Sequence, residues 1–293
     1  MESRKNRGGA CRGLLLGLLL ALALSLPAAA AGSDGYSDID KMAVCNMFEQ
    51  NGLQVPADPG SWTFATWSTI DGERRITELA LSGRSLTGEL DVSGLTALTK
   101  LDISNNAISG ITGLNSLTFL DHLNLEHNQV EDLDVSGNTA LTVLNAASNQ
   151  LAKLNVQYNT NLEELYCDGN QLTRLNVSQN KALTTLYCQS NQLTNLDVSG
   201  CTSLTELYCQ NCALTDLDLS GSNSNLQVLD CERGNNIDID IASLNLNETS
   251  STFVYFGNSL NASDISSDKS VLQILCQEDD EFEIESWNGQ AIS

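Results

Sequence analysis

Leu183-Thr-Thr-Leu-Tyr-Cys-Gln-Ser-Asn-Gln-Leu-Thr-Asn-Leu-Asp-Val-Ser-Gly-Cys-Thr-Ser203 is one copy of a motif that fills the middle of this 293-residue chain. Copies begin at Ile76, Leu98, Leu120, Leu141, Leu162, Leu183, Leu204 and Leu226, spaced 22, 22, 21, 21, 21, 21 and 22 residues apart. Numbered within a copy, position 4 is always leucine, from Leu79 and Leu101 through to Leu207 and Leu229. Position 9 is Asn106, Asn128, Asn149, Asn170 and Asn191 in succession and then Cys212. Positions 14 and 16 are apolar too, as in Leu154/Val156 and Leu175/Val177. Self-similarity at a fixed period of this length marks a solenoid, in which no unit can bury its own apolar face and each leans on the next.

Leucine at positions 1, 4 and 6 has the alternation of a short strand over positions 4 to 6, apolar side inward. Stacking identical units sets these strands parallel at a spacing of about 4.8 Å, so eight units predict an elongated body of about 40 Å. The asparagine at position 9 stands where the chain leaves the strand, and its amide can satisfy backbone groups that would otherwise be buried without partners.

The pattern Leu162-x-x-Leu165-x-Cys167-x-x-Asn170-x-Leu172 resembles the leucine-rich repeat signature, with cysteine in its sixth place. The 21-residue period, with Leu-Asp-Val-Ser in its second half, is similar to the short repeats of secreted bacterial leucine-rich proteins. The resemblance implies an α/β leucine-rich repeat solenoid. Its curved parallel β-sheet would lie on the concave face, with mostly extended or short helical turns on the convex face and a small helical N-terminal cap. It implies nothing about the ligand, because one fold hosts many partners.

Around the repeats, residues 1–31 have the layout of a secretory signal peptide. Arg4, Lys5, Arg7 and Arg12 precede the apolar run Leu14 to Leu26, and Pro27 is followed by a small-residue cleavage site at Ala28 to Ala31. An exported chain, secreted or at the cell surface, is the expectation, with no membrane insertion after cleavage. Residues 32–75 read as an N-terminal cap, with Asp38 capping a helix over Ile39 to Gln50 and Trp62, Phe64 and Trp67 following. The repeats occupy 76–246. Residues 247–293 read as a C-terminal cap or the start of a strand-rich tail: 253–256 and 271–275 look like isolated strands, and 278–287 like an exposed one.

The formal charge is −23. Removing Arg4, Lys5, Arg7, Arg12 and Glu2 with the leader leaves 10 basic against 36 acidic residues, a net of −26. Nucleic acid is then excluded as a partner class, since duplex binding needs cations to displace condensed counterions.

Cys167, Cys188, Cys209 and Cys231 recur at position 6, where earlier copies have Leu81, Ile103 and Leu125. They read as core thiols: in-register Cβ atoms on neighbouring strands stand about 5 Å apart, beyond the ~3.8 Å a disulfide favours. Four thiols in one line cannot converge on zinc. His122 and His127, the only histidines, lie beside Asp121 and Glu126, but odd spacing on an extended segment points them to opposite faces. No nucleophile or phosphate-binding motif accompanies them, and Asp238 with Asp240 is too few carboxylates for calcium. The reading is a chain with no catalytic residues, metal or cofactor. Asn176, Asn247 and Asn261 lie in glycosylation sequons that only a eukaryotic source would use.

What remains is the concave surface, from positions 2, 3, 5, 7 and 8. Position 5 becomes Tyr166, Tyr187 and Tyr208 in three successive copies, flanked by Glu164 and Glu206 at position 3 and by Asp168, Gln189 and Gln210 at position 7. Tyrosine offers contact area and a hydroxyl at low entropy cost. Ten acids (Glu78, Asp102, Asp121, Glu126, Glu163, Glu164, Asp168, Glu206, Asp230 and Glu232) face only Lys100 and Arg233 on this surface. The residues therefore point to a protein or peptide partner, with a cationic surface steered to this face. The alternatives left open are that stacked rings merely support neighbouring strands, that the tyrosines stack on sugars in a carbohydrate-binding module, and that His122 serves a hydrolase.

Overall fold

The computed structural model describes residues 34–219, 225–231 and 235, and four short strands beyond them. The leader, Glu232, Arg233, Asp238, Asp240, Asn247 and Asn261 lie outside the described residues. In chain order the elements are α1 (Asp38–Gln50), β1 (Ala65–Ile70), β2 (Glu73–Ala80), β3 (Thr87–Asp91), β4 (Lys100–Asp102), β5 (Ala107–Thr112), β6 (His122–Asn124), β7 (Val143–Asn145), β8 (Glu164–Tyr166), β9 (Thr185–Tyr187), β10 (Asn195–Asp197), β11 (Glu206–Tyr208), β12 (Asp216–Asp218), β13 (Val228–Asp230), β14 (Phe253–Phe256), β15 (Leu272–Ile274), β16 (Cys276–Glu278) and β17 (Glu281–Glu283). Eleven strands form one sheet in the order β1-β2-β4-β6-β7-β8-β9-β11-β13-β14-β15. From β2 to β13 every pairing is parallel and in register, so the position 4 leucines from Leu79 to Leu229 lie side by side. The chain is a parallel β-solenoid.

The strand occupies positions 3 to 5 rather than 4 to 6. Pairing starts early because one position 2 carbonyl serves two donors of the next coil: the N–H groups of Asp121 and His122 both reach Thr99 O, at 2.8 and 3.0 Å. It fades gradually, since the position 6 N–H still crosses to the next coil, as from Cys167 to Tyr187 O at 2.8 Å. Positions 1, 4, 6 and 11 fill the interior: Leu120, Leu123, Leu125 and Val130 are all buried. Burying each such leucine stabilises by about 1.5–3 kcal/mol, a gain that exists only when the neighbouring coil covers it.

At position 8 the chain swings off the sheet through a left-handed residue in seven coils running. These are Gly83, Asn105, His127, Ser148, Gly169, Ser190 and Asn211, all with φ between 52° and 66°. None is β-branched, as sterics in this region demand. The next residue is the position 9 asparagine. Asn170 Nδ2 donates to Ala146 O (2.9 Å), Cys167 O (3.0 Å) and Asp168 O (3.2 Å), while its Oδ1 accepts from Leu151 N (3.0 Å). Asn128, Asn149 and Asn191 repeat the pattern. Each amide thus ties its own coil to the preceding one.

A second ladder runs along position 19. Asn138, Asn159 and Asn180 are fully buried. Asn159 Nδ2 donates to Val135 O (3.0 Å) and Asn138 O (2.8 Å), and Asn180 Nδ2 to Val156 O (3.1 Å) and Asn159 O (2.8 Å). Both ladders end in cysteine. Cys201 Sγ donates to Val177 O at 3.5 Å and Cys212 Sγ to Cys188 O at 3.4 Å. Asn235 then restores the amide, one residue late.

Opposite the main sheet, β3 pairs with β5 and β10 with β12, in parallel. Asp134, Asn155, Asn176 and Asp197 at position 15 each accept the N–H two residues on, so Asn176 has a turn-forming role.

The cap differs from expectation in two ways. Ser37, not Asp38, is the N-cap of α1, its side chain accepting from Asp40 N; Asp38 sits in the first turn and pairs with Lys41 at 2.7 Å. A β-hairpin also joins the cap to the first coil. Its turn is Asp71-Gly72, both at positive φ, and β1 pairs antiparallel with β2 as the sheet's edge. Asp40, wholly buried, holds the parts together: Arg75 Nε and Nη2 reach its carboxylate at 3.0 Å and Ile76 N at 2.6 Å. Phe48, Phe64 and Trp62 stack beneath the helix. At the far end, β14 and β15 are not isolated, since they add parallel to β13, and β17 pairs antiparallel with β16.

The position 6 cysteines take the place of core leucines: Cys167, Cys188 and Cys209 are free thiols with 0% exposure, and Cys231 is buried in the same column. Burial raises the pKa of the Cys167, Cys188 and Cys209 thiols well above the usual range. Two outcomes follow. Alkylation of the folded chain, read by mass spectrometry, should leave these three thiols unmodified and unbridged. Asn170→Leu should lower stability by about 1–3 kcal/mol, the cost of orphaning buried backbone groups, and Asn170→Cys should recover part of that because a thiol keeps one carbonyl bond. Denaturant midpoints check the ranking.

Candidate functional site on the concave sheet

Because positions 4 and 6 point inward, position 5 points outward along the whole sheet. In the earlier coils it carries a turn-forming side chain: Asp102, Asn124 and Asn145 accept from the N–H groups of Ser104, Glu126 and Ala147, at 3.0, 3.1 and 3.1 Å. On β8, β9 and β11 it carries tyrosine, and on β13 it is aspartate again, Asp230. Tyr166, Tyr187 and Tyr208 stand in register on β8, β9 and β11, half-buried against one another. Their ring centroids are 5.0 and 4.3 Å apart, with the planes tilted by 67° and 49°. A tyrosine cannot cap the position 7 N–H as an Asx residue does. The tyrosine coils therefore have ring contacts and a hydroxyl bond in place of the Asx cap.

Carboxylates border the column. Tyr166 Oη donates to Glu164 Oε2 at 2.9 Å. Glu206 stands at the equivalent place two strands on, with Thr185 between. Asp168, at position 7, has its pKa raised chiefly by burial, against a lowering by the hydrogen bond from its own backbone N–H; the charge of Glu126 raises it further and His127 lowers it by less. Gln189 and Gln210 follow Asp168 at position 7, and the Oε1 of each is buried with no hydrogen-bond partner. Among the described residues at these positions, Lys100 is the one lysine or arginine, and it pairs with Glu78 at 3.6 Å. Glu78, Asp102, Asp121, Glu126, Glu163 and Asp230 add to the negative field.

The histidines do not converge. A sharp turn does separate them, since His127 is itself the left-handed residue of its coil. Each pairs instead with its own neighbour, His122 Nδ1 with Asp121 Oδ1 at 2.5 Å and His127 Nδ1 with Glu126 Oε1 at 3.1 Å, and both are exposed. Among the described residues, no group of three or more histidine, cysteine, aspartate or glutamate side chains could hold a metal ion.

Burial, then the Glu164 hydrogen bond and the charges of Glu164 and Glu206, push the Tyr166 hydroxyl up to about 12. Tyr187 is raised by burial first and then by its bond with Tyr208. The folded pKa exceeds the unfolded one, so the native chain holds its proton longer and stability falls as pH rises from about 10 towards 12. Ultraviolet titration of tyrosinate should show Tyr166 ionising late, and Glu164→Gln should bring its titration back down.

A family model described as leucine-rich repeats (2 copies) matches residues 96–138, 181–221 and 202–247. No curated protein sequence matches the chain. Among solved structures, a functional domain of InlJ from Listeria monocytogenes that includes a cysteine ladder is 32% identical, with a TM-score of 0.57; the match covers 68% of this chain and 48% of that one. The chain thus spans about half the length of that domain. A plant ice-binding protein (19% identity, TM-score 0.60, 82% of this chain and 81% of the other) shares the fold. So does the internalin InlF from Listeria monocytogenes (16%, TM-score 0.56, 82% and 77%). The matched segments lie on the same coils that the period defines and the parallel sheet stacks, so the repeats of this chain are leucine-rich repeats.

Proposed function

We propose that this is an exported, non-enzymatic leucine-rich repeat protein, bacterial in type, that binds a protein or peptide on its concave sheet. The observation that carries this reading is the substitution of Tyr166, Tyr187 and Tyr208 for the turn-capping Asx residues of upstream coils, within a predominantly acidic face. Partly buried tyrosines bordered by carboxylates form an anchor with a charged rim, the anatomy of a protein-binding patch. Export rests on the amino-terminal segment of the sequence. No helix among the described residues is long and apolar enough to cross a membrane. Likeness to the Listeria InlJ domain supports the bacterial setting.

The carbohydrate reading is weaker. Sugar rings stack on flat aromatic faces, whereas neighbouring rings here are tilted by 67° and 49° and form no shared platform. The catalytic reading has less to support it, since no nucleophile motif accompanies either histidine in the sequence.

An affinity pull-down with the mature chain tests the assignment. Tyr187→Ala should weaken the recovered partner by about tenfold or more without unfolding the coils, the usual cost of truncating an interface anchor. Glu164→Lys should slow association, with the effect fading at high salt. Unchanged binding by Tyr187→Ala would move the search to the opposite face or the cap.

A further inference from the structure

The column has a direction and a spacing, and together these narrow the partner. β8, β9 and β11 are interior strands, each paired on both sides. A peptide cannot join them by strand addition, which requires a free edge. The tyrosines run across the strands, so a ligand that follows them lies along the solenoid axis and is held by side chains.

Glu164 and Glu206 flank this path at the same position two strands apart, a separation of about 9.6 Å from a strand spacing of about 4.8 Å. An extended β peptide repeats its facing side chains every ~6.8 Å, which misses that interval. A polyproline II helix repeats every three residues at ~3.1 Å each, or ~9.3 Å, which matches it. Its proline rings suit gaps between tilted aromatic rings, the way aromatic-lined grooves take such helices. Glu164 already accepts the Tyr166 hydroxyl on Oε2, leaving Oε1 for a ligand donor. A guanidinium can meet that oxygen while stacking on a ring face, which an ammonium does less well.

Resting on the concave-face reading above, we propose that the tyrosine column docks a polyproline II segment carrying arginines three residues apart, one facing Glu164 and the next Glu206. The intervening residues pack on Tyr166, Tyr187 and Tyr208, and Asp168 lends its charge at one end of the path.

Synthetic probes test this directly by fluorescence anisotropy with the mature chain. The labelled peptide Arg-Pro-Pro-Arg-Pro-Pro-Arg is compared with Arg-Arg-Arg-Pro-Pro-Pro-Pro, of equal composition and charge, and with a glutamate version of the first. The spaced peptide should bind about tenfold tighter than the clustered one, and the glutamate version should not bind. Glu206→Gln and Tyr187→Ala, each checked for an unchanged circular dichroism spectrum and denaturant midpoint, should each weaken it about tenfold. Should Tyr187→Ala disturb the fold, Tyr187→Phe takes its place, keeping the ring and so the affinity while Glu206→Gln loses it. Equal binding of spaced and clustered peptides overturns the proposal, as does binding indifferent to Glu206. Absence of peptide binding, or glycan binding in its place, overturns it too. If no arginine peptide binds while the pull-down partner still requires Tyr187, this proposal fails and the concave-face reading stands. If the pull-down partner ignores Tyr187, the concave-face reading itself has failed.

Discussion

The solenoid depends on how it silences the backbone where each coil turns. A 21-residue coil that buries its turns leaves carbonyl and N–H groups out of reach of water, and each left unpaired costs about 1–3 kcal/mol. Two columns of asparagine meet that demand. Asn128, Asn149, Asn170 and Asn191 serve the turn after the strand, and Asn138, Asn159 and Asn180 serve the turn before the next one. Every one of these amides bonds to the preceding coil. The hydrogen bonds that settle a turn are therefore the same ones that fix the stacking, and neither can form alone. Where cysteine replaces asparagine, at Cys201 and Cys212, a single thiol bond to a carbonyl keeps the column going at lower capacity.

Strict stacking has a functional consequence. In-register pairing copies position 5 onto position 5, so one residue repeated in the sequence becomes a continuous line on the surface. Three tyrosines spaced 21 residues apart in the chain thus arrive with each ring centroid within 5.0 Å of the next. The same copying sets Glu164 and Glu206 along one edge and Asp168, Gln189 and Gln210 along the other. The surface is a ruler with the strand spacing as its unit. The cap preserves this ruler at one end. The buried Asp40–Arg75 pair and the hairpin seat the helix on the first coil, and β1 closes the sheet with an antiparallel strand.

By itself the sequence determined whatever repeats. The period, the inward leucines, the core cysteines, the position 9 ladder and the tyrosine line are all properties of a register. A register is legible because burial demands the same residue type at the same place in every coil. The sequence also carried signals that passed unread: Asp71-Gly72 for the hairpin, asparagine at position 19 for the second ladder, and glycine, asparagine or serine at position 8 for the left-handed turn. What only the tertiary structure decided were the features that depend on contacts between coils or on local geometry. The strand moved to positions 3 to 5 because one carbonyl serves two donors of the next coil. Ser37 displaced Asp38 as helix cap, and Asp40 was claimed by Arg75 and Ile76, more than thirty residues away in the chain. The tilt of the tyrosine rings comes from packing among three coils, and no single copy of the repeat contains it.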